Sequence, residues 1–358
     1  MNKVKVCYLP NAHDLDHPAD RRRFAAYAKM ENIEFEIFNY TNACDILVSS
    51  QQLDITRLSQ IRKKCKVIIY DAIDSYHNDQ FSIKGRFRGL AKYVSGQHKG
   101  CILNYSKYLK NYFYPCVDII TCASIEQKHE LEKFNLNVFS IPDSLEASPK
   151  YKQNYDIKGS VNLVWEGLGS NQFQLWLLYK PLKNLSKKYD ITLNVITDIS
   201  HKKFLNRYLD VDSKRTLRGL HDKINIIPWK KRDFMEKITD SDIALIPLDL
   251  TKKLSHGKPE NKLVHLWKMG MPVLASGSKS YSRVMAHAEV DGICVSFNDW
   301  ENKIENLILN ASLRHENAIK GQAFALELYS EKAFQDKWKS VFHLANKKLH
   351  SLQSNHLR

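Results

Sequence analysis

The strongest constraint on the fold is a pattern that runs twice along the chain. Short apolar segments, KVKVCYLP (3–10), IEFEIF (33–38), DILVSS (45–50), KVIIYDAID (66–74), VDIITCAS (117–124) and NVFSIPD (137–143), alternate with helical patterns such as ADRRRFAAYAKM and SIEQKHELEKF. Strands separated by helices require crossover connections, and these give a parallel sheet covered on both faces. The stretch DSLEASPKYKQNYDIKGS (143–160) is polar and without period, which makes it a linker. The alternation restarts with VNLVWEG (161–167), ITLNVITD (191–198), KINIIPW (223–229), DIALIPL (242–248), PVLASG (272–277) and GICVSF (292–297).

The predicted architecture is therefore α/β, with two Rossmann-like doubly wound parallel-sheet lobes. Their expected limits are 1–145 and 161–330, with a linker at 146–160. A C-terminal helix and basic tail over 331–358 are expected to pack back on the first lobe. Such lobes take ligands at the carboxyl ends of their strands, so the site is expected in a cleft between them.

Composition narrows the partners. The 358 residues carry a formal charge of +15, which points to phosphate-bearing molecules, an acidic membrane surface or nucleic acid. No run approaches the roughly 18 apolar residues that span a bilayer. The opening MNKVKVCYLPNAHDLDH has no signal-peptide apolar core, so a cytoplasmic protein is expected. Seven scattered cysteines without a C-x-x-C pair read as reduced core residues. His13 and His17 in HDLDH are too sparse for a metal site, and neither metal nor cofactor is expected.

Residues 256–278, HGKPENKLVHLWKMGMPVLASGS, carry the densest chemistry. Pro259 suits the first turn of a helix and Gly270 with Pro272 ends it, giving a helix from about Pro259 to Met269. Leu263, Leu266 and Trp267 share one face, toward the sheet; Lys258, Asn261, Lys262 and His265 share the other. A helix start offers free N–H groups and positive dipole potential, so this basic face can seat a pyrophosphate, with His265 in reach of a ribose.

The longer run INIIPWKKRDFMEKITDSDIALIPLDLTKKLSHGKPENKLVHLWKMGMPVLASGS resembles the donor-binding lobe of GT-B glycosyltransferases, above all the large retaining group 1 family of bacterial surface-polysaccharide enzymes. Ser241-Asp242, IALIPL, Asn261-Lys262-Leu263 and Gly270-Met271-Pro272-Val273-Leu274-Ala275-Ser276 stand in the places of that family's motifs. VDIITCASIEQKHEL, IPDSLE and VNLVWEGLGSN resemble its first-lobe strand and helix, the end of that lobe, and the first strand of the second. The family often has two glutamates eight residues apart around this helix; Gly257 and His265 occupy those positions here. The resemblance implies transfer of a sugar from a nucleotide-sugar donor to a glycan acceptor, lipid-linked in this family, at the inner face of the cytoplasmic membrane. In that setting Lys258, Lys262 and the helix start would hold the leaving phosphates.

Other candidates follow from position in the sheets. Gly167, Gly169, Ser170 and Asn171 follow a second-lobe strand, where glycines let a backbone approach phosphate. Trp229 follows another and faces either a nucleobase or the core. Asp71, Asp74 and His77 end a first-lobe strand and are candidates to deprotonate or orient the acceptor hydroxyl. In Asp20-Arg21-Arg22-Arg23, Arg21 and Arg22 are candidates for an anionic acceptor. Residues 81–114 hold seven Lys/Arg, eight aromatics and no acid, and Lys84, Arg86 and Arg88 there suit an anionic membrane surface. A sugar-nucleotide epimerase of the same fold is the alternative enzyme. A nucleic-acid-binding protein is disfavoured, since the basic residues match no nucleic-acid motif.

Overall fold

The computed structural model describes residues 4–78, 83–145, 150–203 and 209–356. The chain divides into two compact units: residues 1–145 with 256–259 and 330–358, and residues 146–255 with 260–329. Each contains a six-stranded, all-parallel sheet with helices on both faces.

The first sheet comprises β1 (Val6–Leu9), β2 (Glu36–Ile37), β3 (Cys44–Ser49), β4 (Cys65–Ala72), β5 (Ile119–Cys122) and β6 (Val138–Ser140), in the order β2-β1-β3-β4-β5-β6. Its strands read as nearly unbroken apolar runs because both faces are covered. On β4, Ile68 and Tyr70 join Tyr105, Leu109, Phe113 and Tyr114 on one side. Val67 and Ile69 join Phe24, Tyr27, Trp338 and Val341 on the other.

The C-terminal helix Glu331–His356 supplies part of this second layer: Phe334, Trp338, Val341, Ala345 and Leu349 are buried at helical spacing. Trp338 stacks on Tyr27 with ring centroids 5.6 Å apart. This helix thus belongs to the core of the first unit, although it lies at the far end of the sequence.

In the second unit β7 (Val161–Glu166), β8 (Ile191–Thr197), β11 (Ile224–Pro228), β12 (Ile243–Ile246), β13 (Val273–Ser276) and β14 (Ile293–Cys294) are ordered β11-β8-β7-β12-β13-β14. A two-stranded antiparallel ribbon, β9 (Ser200–Lys203) and β10 (Leu209–Asp212), stands beside it. Successive strands leave β7 first toward β8 and then toward β12, so the direction of winding reverses between β7 and β12. That reversal point, at the carboxyl ends, is where open α/β sheets bind ligands.

The polar stretch read as a linker has no regular structure where it is described, but it is held to the second unit. Tyr155 donates its hydroxyl to the Gly270 carbonyl at 2.8 Å, and Arg314 donates to the Tyr155 carbonyl. Five of the seven cysteines are buried, while Cys101 and Cys116 are exposed.

Candidate active site

The helix carrying the basic motif runs Asn261–Lys268, two residues shorter at its start than the sequence suggests. Glu260 is its N-cap, with its carboxylate buried and held by Arg283 at 2.9 Å and Tyr329 at 2.8 Å. Pro259 therefore precedes the cap. The helix packs on β12 and β13, and the helix Ala311–Leu328 crosses its back. At that crossing Gly321 faces the Trp267 ring, which a Cβ would approach to 2.5 Å.

This burial corrects the expected two-faced helix. Leu263, Val264, His265, Leu266, Trp267 and Lys268 are all buried, as in a helix enclosed by its own domain. His265 packs its ring 5.8 Å from Phe234, which in turn lies 5.2 Å from Trp229. The glutamate-replacing histidine thus sits in an aromatic row instead of on an open face, and Trp229 joins the same row.

Lys262 leaves the helix toward the reversal point. Its ammonium donates to the carbonyl of Glu166, the last residue of β7, and lies 4.9 Å over the Trp165 ring. Gly167 makes this possible: a Cβ there would come within 2.8 Å of Lys262 Nζ and 2.9 Å of the Trp165 ring. Gly169 has a matching reason. Its N–H donates to Asp198 at 3.0 Å, and a Cβ would meet His201 Nδ1 at 2.7 Å. Ser170 is exposed, and Asn171 turns back with its N–H on the Leu168 carbonyl. Gly167, Gly169 and Lys262 thus gather at the carboxyl end of β7, with Asn261 next to Lys262 at the start of the helix.

Sequence reasoning missed three polar side chains at the same sheet edge. Among the described residues the buried amide atoms of Gln172, the Thr197 hydroxyl and His201 Nδ1 have no hydrogen-bond partner. Their types were visible; their convergence depends on the 3-10 helix Gly169–Leu178 and on the ribbon after β8.

Lys258 groups with the first unit, in the segment His256–Pro259. Neighbouring Gly257 approaches Ser75 so closely that a Cβ would lie 2.3 Å from its hydroxyl oxygen.

The first-unit candidates take structural positions. Asp71 is buried and receives Arg23 in a two-pronged pair, Nη2–Oδ1 at 2.5 Å and Nε–Oδ2 at 3.0 Å, together with the Thr121 hydroxyl at 2.7 Å. Arg23 also donates to the Ile141 carbonyl. A carboxylate so occupied is a brace between strands, not a base open to a hydroxyl. Arg23, read from sequence only as one of a basic trio, is its partner, whereas Arg21 and Arg22 are half-buried. The backbone of Asp74 is clamped by the Gln51 amide at 2.9 and 2.8 Å. His77 is buried, with Nε2 3.1 Å from Glu130.

The basic aromatic segment likewise divides. Tyr105, Phe113 and Tyr114 belong to the core and Lys92 is buried, while Phe87, Tyr93, Val94, Leu103 and Tyr112 are exposed. Arg88 lies 4.0 Å over the Tyr76 ring; the side chains of Lys84 and Arg86 fall outside the described residues. Among the described residues no three His, Cys, Asp or Glu side chains group to hold a metal, and no helix is long and apolar enough to cross a membrane.

No family model matches the chain, and no curated protein matches it. Solved structures do. A glycosyltransferase from Rickettsia africae ESF-5 aligns with TM-score 0.61 at 13% identity, over 97% of this chain and 100% of the other. WaaG, a glycosyltransferase involved in lipopolysaccharide biosynthesis, aligns with 0.56 at 11%, over 94% and 98%. Anabaena HepE, solved with UDP and glucose, aligns with 0.59 at 11%, over 95% and 100%. TarM aligns with 0.57 at 13% over 84% of this chain, which spans only 54% of TarM. With two six-stranded parallel sheets in the same arrangement of strands and covering helices, this chain has the GT-B glycosyltransferase fold.

Proposed function

We propose that the chain transfers a sugar from a nucleotide-sugar donor to a glycan acceptor, lipid-linked and destined for a surface polysaccharide. The observation that carries this reading is the placement of Lys262. Its ammonium is fixed at the carboxyl end of β7, beside the reversal point, with Gly167 cleared for it. As the glycosidic bond of the donor breaks, negative charge grows on the departing phosphate. A positive group already held in place stabilises that charge without reorganising. The start of the helix Asn261–Lys268 adds backbone N–H groups and the positive end of its dipole. Trp229 and Phe234 supply the aromatic wall suited to a base.

The acceptor side of the reading rests on the first unit. Phe87, Tyr93 and Val94 are exposed on one lysine- and arginine-rich helix, Ile83–Val94, with no acid between 81 and 114. Basic helices with exposed aromatics associate with anionic bilayers, which would bring the enzyme to a lipid-linked acceptor at the inner face of the cytoplasmic membrane.

A melting screen against UDP, GDP, TDP, CMP and ADP tests the donor site. UDP, the nucleotide held by HepE, is expected to stabilise; a ligand at 100 times its Kd adds about 2.7 kcal/mol. Lys262→Ala is expected to lose most of that stabilisation with its ligand-free melting unchanged. Stabilisation by no nucleotide would overturn the reading.

A further inference from the structure

The cysteines are scattered along the sequence, yet folding brings three of them together at the amino edge of the first sheet. Cys44 is the first residue of β3 and Cys65 the first of β4, and the two are register partners across this parallel pair. Their sulfurs lie 3.0 Å apart, with Cys44 5% and Cys65 1% exposed. Cys7, on β1, reaches the Cys44 sulfur as well, but its register partner on β3 is Leu47. Neighbouring strands stand about 4.8 Å apart, within the Cα separations of about 4.4–6.8 Å that a disulfide accepts. Cys44 and Cys65 also face the same apolar layer. An S–S bond of about 2.0 Å therefore needs the two sulfurs to approach by about 1 Å, with the strand pairing kept.

The two thiols are not equivalent. Cys44 donates to Cys65, and this hydrogen bond, with the Arg62 and Lys64 charges behind it, holds the Cys65 thiol below its ordinary range; the same contact and burial raise Cys44. The thiolate is the nucleophile of sulfur chemistry, so Cys65 reacts first and Cys44 resolves it. Exposed Ala43 and Lys64 immediately precede the two cysteines. The pair thus lies just under the rim of the sheet, in reach of an oxidant little larger than water. At the other end of the same strands Gln51 and Asp74 are already tied by hydrogen bonds of 2.9 and 2.8 Å.

We propose that Cys44 and Cys65 form an oxidative modification site, closed to a disulfide by a hydroperoxide and reopened by a thiol reductant. The Cys65 thiolate attacks the O–O bond of the hydroperoxide and becomes a sulfenic acid, while the departing oxygen takes the thiol proton and leaves as water or an alcohol. The Cys44 sulfur then attacks the Cys65 sulfur and expels its hydroxyl, which takes the Cys44 proton and leaves as water. Two thiols lose two electrons and one peroxide gains them. The bond closes residues 44–65, with the helix Leu58–Arg62, into a loop and pins β3 to β4 at their amino ends. None of this depends on the transferase reading.

The full chain carrying Cys101→Ser and Cys116→Ser, which removes the exposed thiols and keeps the five buried ones, tests it. After hydrogen peroxide, denaturation and alkylation, the free-thiol count is expected to fall by two from those five, and dithiothreitol to restore it. Mass spectrometry should show a peptide linked through Cys44 and Cys65. Melting of the oxidised chain is expected to rise by about 5 °C or more, because the closed loop restricts the unfolded chain. Adding Cys44→Ala is expected to leave a sulfenic acid on Cys65 that a 1,3-dione traps, and adding Cys65→Ala to leave none on Cys44. Five thiols retained after peroxide, a linked peptide joining Cys7 to Cys44, or unchanged melting after oxidation would overturn the site. Those outcomes are read with Cys44 and Cys65 both in place, so they stand even where an alanine variant fails to fold. UDP protection reads the second unit separately, so either reading can fail alone.

Discussion

The two sheets end differently at their carboxyl edges. In the first unit the edge is built from charges that face one another: Asp71 on β4 is closed by Arg23 and Thr121. In the second it is built from absences of side chain, with Gly167 and Gly169 leaving room for Lys262 and His201. A strand-end carboxylate met early by an arginine is a brace, whereas a strand-end glycine that a lysine fills is an opening. The largest expected effect follows from the brace. Arg23→Met strands Asp71 in the interior, and breaking one side of a buried pair costs about 3–5 kcal/mol. Melting of the first unit should fall accordingly, with UDP protection retained by whatever remains folded. Wild-type melting in Arg23→Met would show that the pair does not hold the sheet together.

The converse change belongs to the second unit. Gly167→Ala puts a Cβ 2.8 Å from Lys262 Nζ and 2.9 Å from the Trp165 ring. The flexible ammonium yields first and leaves the Glu166 carbonyl. Losing one charge-assisted bond to phosphate costs about 1.5–3 kcal/mol, so UDP should bind about 10- to 100-fold more weakly while melting without nucleotide moves little. Unchanged UDP affinity, measured by calorimetric titration, would remove Gly167 and the position of Lys262 from the donor site.

How far these edges were legible follows from the same contrast. The two-lobe parallel architecture is written in the alternation of apolar runs, because a sheet covered on both faces needs them locally. Gly167, Gly169 and Lys262 were legible because strand end, glycine and helix start are near in sequence or follow a family pattern. Asp71 was misleading: its partner Arg23 lies 48 residues away, and no local pattern tells a paired aspartate from a free one. Amphipathic spacing gave His265 an open side, but Phe234 arrives from a separate helix and closes it. The basic segment 81–114 reads uniformly along the chain, yet folding sends Lys92 and Tyr105 inward and leaves Phe87 and Val94 outside.

Glu260 offers the smallest and most discriminating test, since it is a buried carboxylate of the second unit. It caps the helix that carries Lys262 and has two partners, Arg283 Nη2 at 2.9 Å and Tyr329 Oη at 2.8 Å. Tyr329→Phe removes only the neutral partner and leaves the charge compensated by Arg283, so the expected loss is about 1 kcal/mol in denaturant unfolding. The N-cap keeps its position, and UDP affinity should change by less than about twofold. Arg23→Met, by contrast, removes the cation from Asp71 and leaves it only the neutral Thr121 hydroxyl. If Tyr329→Phe instead cost as much as Arg23→Met, the second unit's edge would depend on a buried charge as tightly balanced as the first's, and the contrast between a braced edge and an open one would fail.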